Sequence, residues 1–398
     1  MRVKITALSP IHIGTGDIYE PSNFVIDGDY LYFFKEENFF KKLPPNDKKE
    51  FINISQRNIF QIWKFVSLRK EIAKSIYRYK VKISSGLKEE YKNNLGKPTQ
   101  VSKDGRVFFN QFQIQKSLRL SNKNICYIPG SSIKGAIRTA LENIFNWTDN
   151  NIYKEVLISD SSPREVYELI GYALNKERFE DNLIGPKTFV EVIMSTPSYK
   201  SEFEFDLNFK KYKDNKIHIS KKDIIEACNR HYKPLFDSMF EDEEIYKILG
   251  KKFKSEYENF KLKPNQFLLR IGKHSGARAV TLDKRKINVK FAEVKGKNID
   301  DKLYKLIKKS KKEPEIIGDL ALEDRFLNEK EKKIQDIFWD YYESIENPEP
   351  LKEDLEKKKL RDIKGVLKEE TTTWVFGYKN SLQENSHLPF GWVLCEIQ

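Results

Sequence analysis

Residues 127–145 read YIPGSSIKGAIRTALENIF, a proline–glycine pair followed by a long amphipathic run. Apolar residues recur there with the three- and four-residue spacing of a helix face, namely Ile133, Ile137, Ala140, Leu141, Ile144 and Phe145. The stretch therefore predicts a helix that begins after Gly130. Serine is a favoured residue at helix starts, so Ser131 or Ser132 is expected to be the N-cap.

The first turns of this helix carry cations where acids are usual. A helix N-terminus has a partial positive charge and unpaired N–H groups, so stable helices tend to place carboxylates there. Here Lys134 and Arg138 come first, and the first acid is Glu142. The pattern predicts an anion site in which N–H groups, the hydroxyls of Ser131 and Ser132 and the two cations converge on one phosphate. The open alternative is a capped helix with two solvated cations.

The N-terminal segment has the pattern of antiparallel sheet. Residues 2–7 alternate apolar Val3, Ile5 and Ala7 with polar side chains, as in a half-buried strand. Residues 24–34 carry Asp27-Gly28 near their middle, a hairpin signal because both residue types tolerate positive φ. We expect the fold to begin with paired strands.

Further elements alternate along the chain. Residues 57–79 have a helical stripe, residues 86–106 are polar and read as an exposed loop, and residues 203–209 alternate like a strand with one buried face. Ser220 and Asp223 have capping-box spacing before another expected helix.

The C-terminal part shows the same mixture. Residues 267–271 predict a strand, residues 298–370 are rich in Lys and Glu with a helix capped near Asn328, and strands are expected around 371–378 and 392–397. Mixed strands and helices without a regular βαβ rhythm favour the α+β class.

We expect two ferredoxin-like (RRM-like, split βαβ) domains with helical insertions. Residues 1–195 would form the N-terminal domain, with a helical insertion at 50–110. Residues 196–398 would form the C-terminal domain, with a Lys/Glu-rich helical insertion at 298–370.

Two glycine-containing segments are further candidates for phosphate binding. Gly14-Thr15-Gly16 lacks the GK[ST] of a P-loop and the third glycine of a dinucleotide fingerprint, so a tight turn after the first strand is the open alternative. The second segment follows a strand and combines basic, hydroxyl and glycine residues, namely Arg270, Lys273, His274, Ser275, Gly276 and Arg278. Its alternative is a solvated hairpin tip.

Composition limits the class of partner. The formal net charge is +13, from 72 Lys+Arg against 59 Asp+Glu, which suits a polyanion, although a Lys-rich protein without such a partner has the same balance. The three cysteines lie far apart without metal-ligand spacing, so a zinc site is not expected. No metal or other cofactor is predicted. No leader or membrane-spanning run is recognisable, which favours a cytoplasmic protein without membrane contact.

Catalysis has little support in the sequence. A metal-independent ribonuclease needs an acid and a base near the 2′-hydroxyl, usually including histidine. His12 and His274, each beside a glycine loop, are the only histidine candidates among five. No catalytic residue is assigned.

The glycine-centred segments together resemble the RAMP superfamily of CRISPR proteins. They are SPIHIGTG (9–16), IPGSSIKGAIRTAL (128–141), RIGKHSG (270–276) and LPFGW (388–392), in order along the chain. IPGSSIKGAIRTAL is the most specific of them. The resemblance is greatest to the subunits that sit at the crRNA 3′ end of type III-A (Csm) effector complexes.

This resemblance implies a fold and a set of partners. It implies RRM-like domains with glycine-rich loops and a place at the end of a filament of RAMP backbone subunits. The partners would be crRNA, those backbone and other Csm subunits, and host nucleases that trim the crRNA, while this chain itself supports crRNA maturation without cutting. RNA contact is carried over to Ser131, Ser132, Lys134 and Arg138, and further to Gly14, Thr15, Gly16 and the 270–278 loop. The alternative is a RAMP endoribonuclease that uses His12 or His274.

Overall fold

A computed structural model describes residues 1–282 and 372–398, except 57–58, 96–97, 102–106, 110–111, 147–151, 178–182, 184, 197 and 212–214. Two compact units divide the chain. One comprises Met1–Asn175, Leu183–Val280 and Trp374–Gln398, and the other Lys176–Asn182 and Thr281–Thr373. The insertion predicted at 298–370, with its helix near Asn328, lies outside the described residues.

Sixteen strands, ten α-helices and one 3-10 helix (Ile152–Glu155) lie within the described ranges. The strands are β1 (Arg2–Ala7), β2 (Gly14–Tyr19), β3 (Phe24–Asp27), β4 (Tyr30–Phe33), β5 (Tyr79–Ile83), β6 (Pro98–Val101), β7 (Val107–Phe109), β8 (Ile114–Ser117), β9 (Val156–Ile158), β10 (Glu168–Glu177), β11 (Thr188–Ile193), β12 (Glu202–Phe209), β13 (Gln266–Arg270), β14 (Thr372–Gly377), β15 (Leu388–Pro389) and β16 (Trp392–Ile397). The helices are α1 (Glu36–Lys42), α2 (Pro45–Ser55), α3 (Ile59–Leu68), α4 (Lys70–Ser75), α5 (Ser85–Asn94), α6 (Gly130–Phe145), α7 (Lys221–Glu241), α8 (Glu243–Ile248), α9 (Lys251–Tyr257) and α10 (Ala277–Val280).

The first sheet has the strand order β13-β16-β1-β12-β9, and every neighbouring pair is antiparallel. β1, α6 and β9 form a split βαβ unit, because β9 runs parallel to β1 with β12 between them. β12 then leads into α7. The position beside β1 that completes the ferredoxin-like order is occupied by β16, and β13 lies outside it.

One face of this sheet is buried under α6 and α7. Val3 and Ile5 of β1 lie opposite Phe205 and Phe203 of β12, and all four belong to one core cluster with Ile137 and other apolar residues of both helices. Full burial of each such side chain contributes roughly 1.5–3 kcal/mol. The alternation predicted for residues 2–7 and 203–209 is confirmed.

The opposite face of the first sheet is charged. Arg2 pairs with Glu204 at 3.8 Å, and Lys4 pairs with Glu202 at 3.4 Å. These side chains alternate with the buried ones along β1 and β12, as the strand period of two requires.

The second sheet follows the order β2-β8-β11-β10-β5-β4-β3, with β14 pairing to β10 and β15. It is mixed, because β8 is parallel to β11 and β5 is parallel to β10. The hairpin of β3 and β4 turns at Gly28, where φ is +60°, so the predicted hairpin is confirmed. With two sheets and intervening helices, the predicted α+β class is confirmed. The domain boundary expected near residue 195 stays a prediction.

The helix predicted over 57–79 is wrong in its extent. α3 ends at Leu68, and α4 begins after Arg69, whose φ of −109° and ψ of 35° are not helical. The Arg69 guanidinium bonds Asp47 and Glu50, both at 2.8 Å, and lies 3.4 Å from the Phe65 ring centre. These tertiary contacts hold the break, and from Tyr79 onward the chain is β5.

The loop predicted over 86–106 is also wrong in part. Residues 85–94 form α5, whose N-cap Ser84 accepts a hydrogen bond from the Leu87 amide at 3.4 Å. Leu87 and Tyr91, four residues apart, are buried on the same face of the helix. β6 follows at Pro98. These two buried side chains anchor α5, an otherwise polar helix, to the rest of the fold.

Candidate nucleic-acid interface

A groove of about 560 Å³ lies between the start of β2, the first turns of α6 and the turn after β13. We call it the α6 groove. The polar and glycine residues that line it are Gly14, Ser131, Ser132, Gly135, Thr139, Tyr232, Arg270, Gly272 and Lys273. Three segments singled out in the sequence therefore meet at one surface.

The start of α6 is fixed by contacts outside the helix. A Cβ at Gly130 would lie 2.6 Å from the Ser159 carbonyl oxygen, so only glycine fits there. The Gly130 amide donates to Asp160 Oδ1 at 2.7 Å, so Asp160 supplies the acid that the first turn itself lacks.

The expectation that Ser131 or Ser132 is the N-cap is wrong. The N-cap is Pro129, which has no side-chain capping bond, because Gly130 already has helical geometry and a partner from another segment. Both serines lie in the first turn and line the groove. Among the described residues, their hydroxyls have no intramolecular hydrogen-bond partner.

The turn after β13 forms the opposite wall. Gly272 has φ of +84°, and a Cβ there would lie 2.6 Å from the His12 carbonyl oxygen. The Lys273 amide donates to that oxygen at 2.9 Å. This close approach joins the 9–16 and 270–276 segments, and only glycine allows it.

Two cations lie on the groove wall. Arg270 Nε donates to the Phe390 carbonyl at 3.0 Å, and its guanidinium lies 5.0 Å from the Trp392 ring centre. Lys273 is exposed, and its Nζ donates to Gln115 Oε1 at 2.8 Å. No carboxylate is among the described residues that line the groove. Cations, hydroxyls and a glycine-exposed backbone together suit a phosphate group.

Lys134 and Arg138 are not brought to this groove. Lys134 Nζ donates to the Val156 carbonyl at 2.7 Å, and burial lowers the pKa of Lys134. Arg138 lies 3.6 Å from Glu142 and 5.2 Å from the centre of the Tyr153 ring. The structure therefore does not bring the two serines and the two cations of α6 together around one phosphate, as was predicted.

Gly135 and Thr139 line the groove but were not among the predicted site residues. At about 100° per residue, Ser131, Gly135 and Thr139 fall on one stripe of the helix, while Lys134 and Arg138 are each one residue off it. A Cβ at Gly135 would meet no atom within 4 Å, so its backbone is open to the groove. The helical stripe was the signal in the sequence that could have found these two residues.

The Gly14-Thr15-Gly16 segment is not a turn that ends β1. It begins β2, which pairs with β8 through an irregularity between Gly14 and Ile18. Thr15 and Gly16 are exposed but lie outside the groove lining, and Thr15 Oγ1 accepts a hydrogen bond from the Asp17 amide at 2.9 Å. Only Gly14 of the three reaches the groove.

The rest of the 270–278 loop supports the turn. Ser275 Oγ is buried within 2.9 and 2.8 Å of the carbonyl oxygens of Ile271 and Gly272. Gly276 has φ of +78°, and Arg278 is exposed on α10. Ser275 therefore closes the turn from inside instead of facing a ligand.

Neither candidate histidine lines the groove. His12 is buried with Nδ1 2.7 Å from the Glu191 carbonyl, and burial lowers the pKa of its imidazole. His274 has φ of +67°, packs 4.3 Å from the Trp374 ring centre, and has its pKa lowered to about 3 by burial. Both rings are neutral near pH 7, so neither supplies a protonated acid to a substrate in the groove.

A buried ionic network lies in the second sheet and was not predicted. Arg119 pairs with Glu191 and, at 2.8 Å, with Glu168, while Tyr19 donates to Glu191 at 2.9 Å. Glu191 is fully buried, and burial raises the pKa of the Tyr19 hydroxyl. The signal in the sequence was a single acid within the apolar run of residues 189–194.

The described part of the chain contains no group of three or more His, Cys, Asp or Glu side chains arranged to hold a metal ion. None of its helices combines the length and apolar character needed to cross a bilayer.

The fold and the groove define a class of protein: an α+β chain with a ferredoxin-like sheet, in which glycine turns border a basic, hydroxyl-lined groove. The chain belongs to the RAMP superfamily, whose family model matches residues 4–379. The predicted resemblance is confirmed at this level.

Two relatives of this chain are both named Csm5. The chain is 28% identical over 264 residues to the CRISPR system protein Csm5 of Methanocaldococcus jannaschii, a match that covers 65% of this chain and 56% of that protein. It is 23% identical over 333 residues to Csm5 of Streptococcus thermophilus, covering 77% of this chain and 87% of the relative. A cryo-EM structure of a type III-A Csm–crRNA–target RNA ternary complex contains a chain of similar fold, with a TM-score of 0.53, 14% identity and full coverage of both chains.

Proposed function

We propose that this chain is a non-catalytic, RNA-binding subunit of a type III-A CRISPR effector complex. It binds the 3′ region of the crRNA at the end of the RAMP filament and supports crRNA maturation. Its partners are the crRNA, the RAMP backbone and other Csm subunits, and host nucleases that trim the guide. RAMP membership and the Csm5 relatives support the choice of complex.

The α6 groove carries the RNA-binding part of the proposal. Hydroxyls of Ser131 and Ser132 can donate to phosphate oxygens, and the open backbone at Gly135 permits close approach. Arg270 and Lys273 bring positive charge to the lining, and the lining residues that the structure describes include no carboxylate. Such contacts read the sugar–phosphate chain and not the bases, as a subunit that accepts guides of any sequence requires.

The other predicted RNA contacts stay predictions. Lys134 and Arg138 lie on the neighbouring stripe of α6, and Thr15 and Gly16 lie beyond the groove lining. They would contact RNA only if the bound strand continues past the groove.

We propose a scaffold and not the alternative endoribonuclease. Cleavage through a 2′-hydroxyl needs a proton donor and acceptor that reach the same ribose. His12 and His274 are buried or packed against aromatic rings, and burial lowers the pKa of each. Purified protein incubated with labelled precursor crRNA should leave the RNA intact. Product formation that disappears in His12→Ala or His274→Ala would contradict this.

The groove is tested by Lys273→Gln with Lys251→Gln as matched control, since both lysines are exposed and Lys251 lies on α9. For single-stranded RNA, the log–log slope of affinity against salt changes by roughly 0.7 for each phosphate that the protein no longer neutralises. We expect that change for Lys273→Gln and no change for the control. Tagged wild-type chain should also copurify small guide RNAs and RAMP subunits, with crosslinks in 127–139 and 270–273. Equal slopes for both variants, or crosslinks elsewhere only, would remove the groove as the site.

A further inference from the structure

The outer face of the β4–β5 pair interleaves tyrosines with lysines. In the antiparallel register, Tyr30 lies opposite Lys82 and Tyr32 opposite Lys80, and the alternate residues of both strands face the core. Lys80 and Lys82 are exposed, and the two tyrosines are half-buried, Tyr32 because one side of it packs against the apolar cluster beneath α3 and α4. We call these four residues, with the flanking Tyr77 and Tyr167, the tyrosine–lysine face.

The flanking tyrosines extend this face at both ends. Tyr77 is 46% exposed and meets Tyr32 edge-on, with ring centres 5.5 Å apart. Lys82 Nζ lies 5.7 Å from the Tyr167 ring centre, and Lys80 Nζ lies 4.6 Å from that of Tyr30. Aromatic rings and ammonium groups therefore alternate across neighbouring strands.

Both lysines of this face can pair with a ligand. Among the described residues, neither Lys80 nor Lys82 forms an ion pair with a carboxylate, and each ammonium group lies near a tyrosine ring instead. The nearby acids are engaged mainly by other lysines. Asp27 is bonded by two lysines of α4 at 2.6 and 2.9 Å, and Asp29 by Lys88 at 2.8 Å, with a weaker electrostatic interaction between Asp29 and Lys82. The face is thus positive and aromatic at once.

The combination of tyrosine rings and exposed lysines favours a nucleic acid over a protein as the partner. Protein interfaces are enriched in tyrosine but depleted in lysine. Surfaces for single-stranded nucleic acid combine aromatic rings for base stacking with cations that follow the backbone. The outer face of the first sheet offers a contrast, because there Arg2 and Lys4 are paired with glutamates.

We propose that the tyrosine–lysine face is a second binding site for single-stranded RNA, where bases stack on Tyr30 and Tyr32 and phosphates contact Lys80 and Lys82. It differs from the α6 groove in place and chemistry. β5 is four positions from β2 in the sheet order, a separation of roughly 19 Å at 4.8 Å per strand. The proposal rests on the proposed function only for the choice of RNA over DNA.

Two double variants of the full chain test it, Tyr30→Leu/Tyr32→Leu and Lys80→Gln/Lys82→Gln. The control is Lys221→Gln/Lys222→Gln, an exposed pair at the start of α7. The probe is an oligouridine of roughly 12 nucleotides, within the usual range of site sizes. We expect the tyrosine variant to bind about 30-fold more weakly or worse, since each of the two lost stacking contacts contributes a factor of about 5 or more. The lysine variant should lower the salt slope by roughly 1.4, which corresponds to two phosphates.

Crosslinking keeps the proposal testable if the tyrosine variant folds poorly. Probe RNA with 4-thiouridine should crosslink to peptides that contain residues 30–32 or 77–82. No crosslinks there, together with an unchanged salt slope in the lysine variant, would overturn the second site. That result would leave the α6 groove untouched, because Lys273→Gln reports on the groove separately. Conversely, the salt slope could be unchanged in Lys273→Gln and reduced in Lys80→Gln/Lys82→Gln. That result would rule out the α6 groove as an RNA site and support the tyrosine–lysine face.

Discussion

Gly135 offers a test of the α6 groove by charge alone. It lies inside α6, lines the groove, and has space where a side chain would extend. Gly135→Glu and Gly135→Gln place side chains of the same shape in that space, and only the first carries a charge. If a phosphate binds between α6 and Lys273, the carboxylate must repel it.

The magnitude follows from Coulomb's law. Two unit charges 4 Å apart interact by about 1 kcal/mol in bulk water and about 4 kcal/mol near a protein surface. The lower value corresponds to a factor of about 5 in affinity. We therefore expect Gly135→Glu to bind single-stranded RNA at least about 5-fold more weakly than Gly135→Gln, and the difference to shrink as salt is added.

Fluorescence anisotropy with a labelled oligoribonucleotide at several salt concentrations measures both effects. Gly135→Ala is the stability reference. Because alanine loses less backbone entropy than glycine in a helix and meets no atom here, it should raise the free energy of unfolding by about 0.5–1 kcal/mol. Equal affinities of the Glu and Gln variants would refute the groove as a phosphate site, and a destabilised Gly135→Ala would refute the open space.

Three other predictions concern stability. Arg119→Met leaves Glu191 buried without its cation and should cost about 3–5 kcal/mol, measured by urea unfolding; a cost under about 1 kcal/mol would contradict the network. Burial lowers the pKa of folded His274 to about 3, below its value in the unfolded chain, so His274 contributes to the free energy of unfolding above about pH 6.5 and this contribution should be lost as the pH falls toward 3. In thermal melts at a series of pH values, His274→Phe should show a smaller loss of stability over that range. Gly272→Ala meets the His12 carbonyl and requires positive φ, so it should destabilise by about 1–3 kcal/mol, whereas a neutral effect would show that the turn can move.

Elements with a complete local signal were predicted well from the sequence. The β3–β4 hairpin follows from Asp27-Gly28, and α7 follows from the capping box of Ser220 and Asp223, which the structure confirms. The alternation of apolar and polar residues in 203–209 predicts which side chains of β12 are buried, and it does so without knowledge of the neighbouring strands. In each case the physical cause lies within a few residues of the element.

Elements that depend on distant residues were not predictable in this way. The break at Arg69 is held by Asp47 and Glu50, and the start of α6 is fixed by Asp160. The side of α6 that faces the groove depends on how the helix lies on the sheet, so Lys134 could not be placed beside Val156 from spacing alone. The glycine segments were found because such turns need particular residues, but their meeting point required the fold.

The place of β16 between β13 and β1 has a consequence for synthesis. Residues 2–6 pair on one side with 202–206 of β12, and residues 3–7 pair on the other side with 393–397. The second edge of β1 therefore stays open on the ribosome until residue 397 has emerged. At 5–20 residues per second, the interval after residue 206 lasts roughly 10–40 s. During that time the nascent chain exposes an unpaired strand edge that can pair wrongly with other chains.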